Sequence, residues 1–157
     1  SLMLYSVIGI GLPRTGTTSL AAALEVLGYS GRHFCEINKT ERAVGVADKK
    51  QYMVDNSLYF NLEEVVRKNI DAKFILTHRS EAKWANSMSQ FLEGFPKKTS
   101  TYKQECMQLF EGYGIKEKLL ILSITENSSD ENWSKLCDFL DASVPSVQFP
   151  NINQNKD

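Results

Sequence analysis

A chain of 157 residues with 42% hydrophobic content can bury one substantial core, and no break in composition calls for a second unit, so a single domain over residues 1–157 is expected. Eighteen basic and nineteen acidic residues leave a formal charge of −1, which argues against an extended nucleic-acid footprint or a polybasic membrane anchor. No apolar stretch approaches the roughly 20 residues that span a bilayer, and Cys35, Cys106 and Cys137 form no CxxC pair. The expectation is a soluble, cytoplasmic protein with reduced thiols and no metal site.

The first element is an apolar run from Leu4 to Ile10, which reads as a buried strand. It is followed by Gly11-Leu12-Pro13-Arg14-Thr15-Gly16, and from Thr17 to Leu27 the apolar spacing becomes that of a helix, with Gly28 as its stop. Strand, tight loop and helix start together make a phosphate cradle. Glycine lets backbone N–H groups approach an anion, and the first helical turn adds unpaired N–H groups and the positive end of the helix dipole. Thr15, Thr17 and Thr18 bring hydroxyls and Arg14 a fixed positive charge. The spacing of the two glycines is that of a nucleotide triphosphatase loop, but Thr17 stands where the lysine of GxxxxGK[ST] is required. A plain strand-to-helix turn is the simpler alternative, although it needs neither the arginine nor three threonines.

Residues 29–37 read as a polar connection carrying His33 and Glu36, each able to meet a substrate or to be an ordinary surface group. Gln51 to Val54 reads as a short strand ending at Asp55, before an amphipathic helix from Leu58 to Lys68. A carboxylate at the carboxyl end of a strand sits where ligands bind in open α/β sheets; the alternative role for Asp55 is a helix cap. Asp71 to Arg79 reads as the next buried strand, followed by a helix capped by Ser80 with Trp84, Ser87, Met88 and Phe91 on one face. Ser87 in that apolar stripe needs a hydrogen-bond partner, and a phosphate shared with Arg79 would be one. The pattern weakens from Glu93 to Lys118; the aromatics there suit an acceptor pocket or an ordinary core. A last strand over Lys118 to Ile124 and a closing helix with Trp133, Leu136, Cys137 and Leu140 on its face complete the chain.

The loop Pro13-Arg14-Thr15-Gly16-Thr17-Thr18 resembles that of the sulfotransferases. The relation of Arg79 to Ser87, eight positions on, resembles the second phosphate site of the same family. His78 and Ser80 flank Arg79 where that family carries an apolar residue and an acidic one. The resemblance is densest over residues 7–29, 71–87 and 118–153. It implies a three-layer α/β/α fold of the P-loop NTPase type with a largely parallel sheet. It also implies 3′-phosphoadenosine 5′-phosphosulfate (PAPS) as donor and 3′-phosphoadenosine 5′-phosphate (PAP) as product. Pro13, Arg14, Thr15, Gly16, Thr17 and Thr18 would hold the 5′ end, and Arg79 with Ser87 the 3′-phosphate. The acceptor would be a small molecule or a glycan. Arginine keeps its proton near neutral pH, so Arg14 is expected to clamp charge, with Asp55 as first candidate base and His33 and Glu36 in reserve. The rivals are a PAP-binding module without turnover and a small Mg²⁺-dependent kinase.

Overall fold

The structure is a computed structural model and describes residues 5–33, 50–54, 58–89, 95 and 97–152. Five strands, β1 (Val7–Gly9), β2 (Ser30–His33), β3 (Gln51–Val54), β4 (Lys73–Thr77) and β5 (Leu119–Leu122), form one sheet in the order β2-β3-β1-β4-β5. Every pairing is parallel. Parallel neighbours need crossover connections, and the chain supplies them with α1 (Thr17–Val26), α2 (Leu62–Lys68), α3 (Glu81–Ser87), α4 (Thr99–Gly112) and α5 (Ser129–Leu140). The three-layer α/β/α fold of the P-loop NTPase type is therefore present.

Strand alternation sorts the core into two halves. Val7, Val54, Ile75 and Leu122 meet Leu20 and Leu24 of α1 and Trp133 and Leu136 of α5. Ile8, Ile10, Phe74 and Leu76 meet Val66 of α2, Trp84 of α3 and Tyr102, Cys106 and Phe110 of α4 on the other face. Sheets covered on both sides have strands that are apolar without interruption, which is why residues 7–10 and 74–76 carry no polar side chain. Cys106 and Cys137 are free and buried, and burial pushes the Cys106 thiol up to about 12.

Two elements differ from the sequence reading. Residues 30–33, expected as a connection, are the edge strand β2; an edge strand half open to water tolerates Ser30, Arg32 and His33, so its apolar signal is absent. Within the stretch where the pattern weakened lies the 14-residue α4, whose Tyr102, Cys106 and Phe110 recur every fourth residue and are buried. Of the aromatics there, Tyr102 and Phe110 are core and Tyr113 is exposed. The helix predicted over residues 58–68 opens with a 3₁₀ turn, Leu58–Asn61, before α2. Ser80 holds the N-cap position of α3 without a capping side-chain bond, and its backbone N–H donates to Glu126 instead. Phe91 lies outside the described residues.

α1 stops where expected. Gly28 takes a left-handed φ of 98°, and the Tyr29 N–H turns back to the Leu24 carbonyl. A Cβ on Gly28 would meet nothing within 4 Å, whereas one on Gly11 would lie 2.0 Å from Thr77 Oγ1 and 3.0 Å from the Thr77 carbonyl. Gly28→Ala should therefore lower stability by about 1 kcal/mol through backbone conformation alone. Gly11→Ala, which drives a methyl into a packed backbone, should cost about 2–3 kcal/mol. Urea unfolding midpoints at unchanged slope check both.

Candidate phosphate-binding site

The carboxyl ends of the strands gather the site. β1 has neighbours on both sides while the chain leaves it first toward β2–β3 and later toward β4–β5, so the crevice above β1 is the switch point of the sheet. The loop from Gly11 to Gly16 fills that crevice. Arg14 (φ 65°) and Gly16 (φ 99°) are both left-handed. For arginine this costs on the order of 1–3 kcal/mol and persists only where the surroundings impose it.

The surroundings do so by capturing the loop's carbonyl groups. Tyr102 donates its hydroxyl to the Ile10 carbonyl at 2.7 Å, the Thr15 hydroxyl to Leu12 at 2.6 Å, the Trp84 indole to Pro13 at 2.9 Å and Arg79 Nη1 to Arg14 at 3.0 Å. With its proton given to Leu12, Thr15 Oγ1 accepts from Thr77 at 2.6 Å. Tyr102, Thr15, Trp84, Thr77 and Arg79 are all buried. Four carbonyls are thereby taken up by the protein, and Gly16, the N-cap of α1, has no side chain to bond the first-turn N–H groups, which are the groups an anion would meet.

A cavity of about 300 Å³ opens against that turn. One wall is Arg14, Gly16, Thr17, Thr18 and Ser19; the other comes from the turn after β5 (Ile124, Asn127) and from residues 148–152. That second wall is tied down: the Ile152 N–H donates to Ser19 Oγ at 2.9 Å, the Phe149 N–H to Ser129 Oγ at 2.8 Å, and Asn132 bridges Asn127 and the Ile124 carbonyl. A second hollow of about 420 Å³ lies between the C-terminal ends of α1 and α5, away from the carboxyl ends of the strands. Its volume is larger, but helix C-termini repel anions, so the chemistry favours the first.

The predicted site residues separate by role. Pro13, Arg14, Gly16, Thr17 and Thr18 line the cavity. Thr15 does not: it is 1% exposed and its hydroxyl is spent inside the loop, so only its backbone N–H is left to serve an anion. Arg79 and Ser87 do come together, but through Arg14. Arg79 holds the Arg14 carbonyl, and Ser87 Oγ accepts from Arg14 Nε at 2.9 Å. The partner expected for Ser87 was a phosphate; its left-handed backbone lets Arg14 reach the last turn of α3 and take that place. His33 ends β2 beside the loop, with Nε2 2.9 Å from Thr18 Oγ1 and Nδ1 3.2 Å from the Val54 carbonyl. Asp55 and Glu36 lie outside the described residues.

Sequence reasoning assigned no role to Asn127, Asn132 and residues 148–152. The only local signal nearby is Ser128-x-x-Glu131, a capping box that the structure forms at the start of α5. His78, beside Arg79, is half-buried, and burial holds its imidazole below the usual range. Among the described residues no helix is long and apolar enough to cross a membrane.

The chain is similar to a gluconokinase from Sinorhizobium meliloti 1021, with 16% identity, a TM-score of 0.50, and coverage of 90% of this chain and 94% of that one. That likeness concerns the fold. No curated protein sequence matches the chain. The family model described as sulfotransferase domain matches residues 6–112 and 97–157, which takes in the loop, the cavity and the Arg79–Ser87 pair. The chain thus belongs to the sulfotransferase domain family.

Proposed function

We propose that this protein is a PAPS-dependent sulfotransferase acting on a hydroxyl or amine of a small molecule or glycan. The observation that carries the reading is the capture of the loop's carbonyls together with an uncapped α1 N-terminus at the cavity mouth. The residues present suit a nucleotide bisphosphate. The cavity lies at the small end of ligand clefts, roughly 300–1,000 Å³, and combines N–H donors and a guanidinium on one wall with Ile124 and Phe149 on the other. A phosphate loop serving a kinase would carry lysine at position 17; Thr17 there is 5% exposed and has no charge to extend.

PAPS would supply the sulfuryl group: the acceptor oxygen or nitrogen bonds to sulfur as the bond from sulfur to the bridging oxygen of the 5′-phosphate breaks, and PAP departs with that oxygen. The first-turn N–H groups and Arg14 would hold that phosphate and stabilise the negative charge developing on it, as preorganised donors cost no rearrangement at the moment of reaction. Arg14 cannot act as an acid near neutral pH, so its role is electrostatic. Ser87, having accepted from Arg14, keeps its own proton to donate. With Arg79 it forms the side of the site we assign to the 3′-phosphate. His33 is engaged on both ring nitrogens, and Asp55, one residue past β3, is the group we assign to take the acceptor's proton.

Calorimetric titration of PAP and of ADP into the protein, repeated with Arg79→Ala, tests the donor. The expected result is preference for PAP in the wild type and its loss in the variant by about tenfold or more, because hydrogen bonds to charged groups contribute about 1.5–3 kcal/mol. Equal weakening of both ligands would mean that Arg79 only supports the loop, and equal affinity in the wild type would refute the donor. Separately, Asp55→Asn should reduce sulfuryl transfer at least a hundredfold while leaving PAP affinity within about twofold. Retained turnover would assign the base elsewhere.

A further inference from the structure

The imidazole of His33 joins two elements that converge on the loop, and its two ring contacts are not equivalent. The Val54 carbonyl can only accept, so Nδ1 carries a proton and donates to it at 3.2 Å. In the neutral ring Nε2 then has a lone pair and no proton. Thr18 Oγ1, 2.9 Å away, must donate its hydroxyl proton there. Thr18 is also a wall residue of the cavity, in the first turn of α1. With its proton spent on His33, Thr18 shows an arriving anion lone pairs only.

The contact reverses if Nε2 gains a proton. The ring then donates to both Val54 and Thr18, and the Thr18 proton is released to point at the anion. The other tautomer would achieve the same reversal without a charge, but it sets the Nδ1 lone pair against the Val54 carbonyl. We infer that anion binding at this loop draws one proton from solvent onto His33 Nε2, which reverses the Thr18–His33 hydrogen bond and turns Thr18 into a donor to the anion. His33 is thus a positioning residue acting through Thr18. No bond other than N–H is formed, and the buffer loses the proton that the ring gains.

Besides His33 itself, α1, β2 and β3 carry three charged or titratable side chains. α1 contributes one titratable side chain, Glu25, and β3 one, Tyr52; these bond to each other at 2.6 Å, two residues before Val54 and toward the far end of α1. Arg32, next to His33 on β2, points to the opposite face of the strand and is itself cationic. Among the described residues of these elements Glu25 is the one carboxylate, and it is bonded to Tyr52 rather than to the ring.

The inference rests on the reading of the loop as a PAP site, and PAP is the probe. Calorimetry at about pH 7.5 in two buffers of different ionisation enthalpy counts protons exchanged per PAP bound, for the wild type, His33→Gln and Thr18→Val. Glutamine can give Thr18 an N–H without titrating, and protons taken by PAP itself cancel in the difference. The wild type should take up close to one proton more than either variant. Its affinity relative to His33→Gln should fall by up to about tenfold per pH unit as pH rises. Equal proton counts in wild type and His33→Gln overturn the inference. So does an excess that survives in Thr18→Val, where no hydroxyl is left to reverse; if one variant does not fold, the other still decides. Failure of the wild type to bind PAP at any pH is a different result and defeats the donor reading itself.

Discussion

Four carbonyl oxygens hold this site together. Those of Ile10, Leu12, Pro13 and Arg14 are each claimed by a buried donor, from Tyr102, Thr15, Trp84 and Arg79. A short loop can present its N–H groups to an anion only if the other edge of its peptides is satisfied elsewhere, because a buried carbonyl without a partner costs about 1–3 kcal/mol. The donors come from α3, from α4, from the end of β4 and from the loop itself. The fold thus serves the loop through its second layer: α4, remote in sequence from the loop, is required through one phenol.

The same capture explains the unusual backbone at Arg14. Its left-handed turn is stored strain, held on one side by Arg79 on its carbonyl and on the other by Ser87 on its guanidinium. Arg14, Arg79 and Ser87, two separate motifs in the sequence, are one mechanical unit in the structure. Any ligand that competes for Ser87 or for the Arg14 side chain therefore acts on the loop's conformation as well as on its own binding. The other flank, where His33 spans Val54 and Thr18, is the corresponding support for the first turn of α1.

Much of this was legible in the sequence because it depends on local chemistry. The buried runs 7–10 and 74–76, the glycines around the loop, the stop at Gly28 and the closing helix with Trp133 and Leu136 each follow from spacing that a single element imposes. β2 was not legible: Ser30-Gly31-Arg32-His33 pairs only at a sheet edge, so water rather than packing selects its side chains. α4 carried a four-residue rhythm in Tyr102, Cys106 and Phe110, but polar residues between them and the preceding glycine- and proline-containing stretch concealed it. Within the site, the inward turn of Thr15 and the Arg14–Ser87 contact depend on Thr77 and on a left-handed φ, which no spacing rule encodes. The strap at residues 148–152 was visible only as a tail, since its role arises from contacts with Ser19 and Ser129 more than a hundred and about twenty residues away, respectively.

The central claim is that the anion is received by the N–H side of the loop and the first turn of α1. Amide resonances followed by two-dimensional NMR during titration with PAP test it most directly. The account predicts that the largest changes fall on the amides of Gly16, Thr17 and Thr18, with protection from exchange at the same positions. Changes concentrated instead at Val26, Leu27 and Tyr29, beside the hollow between the C-terminal ends of α1 and α5, would contradict it.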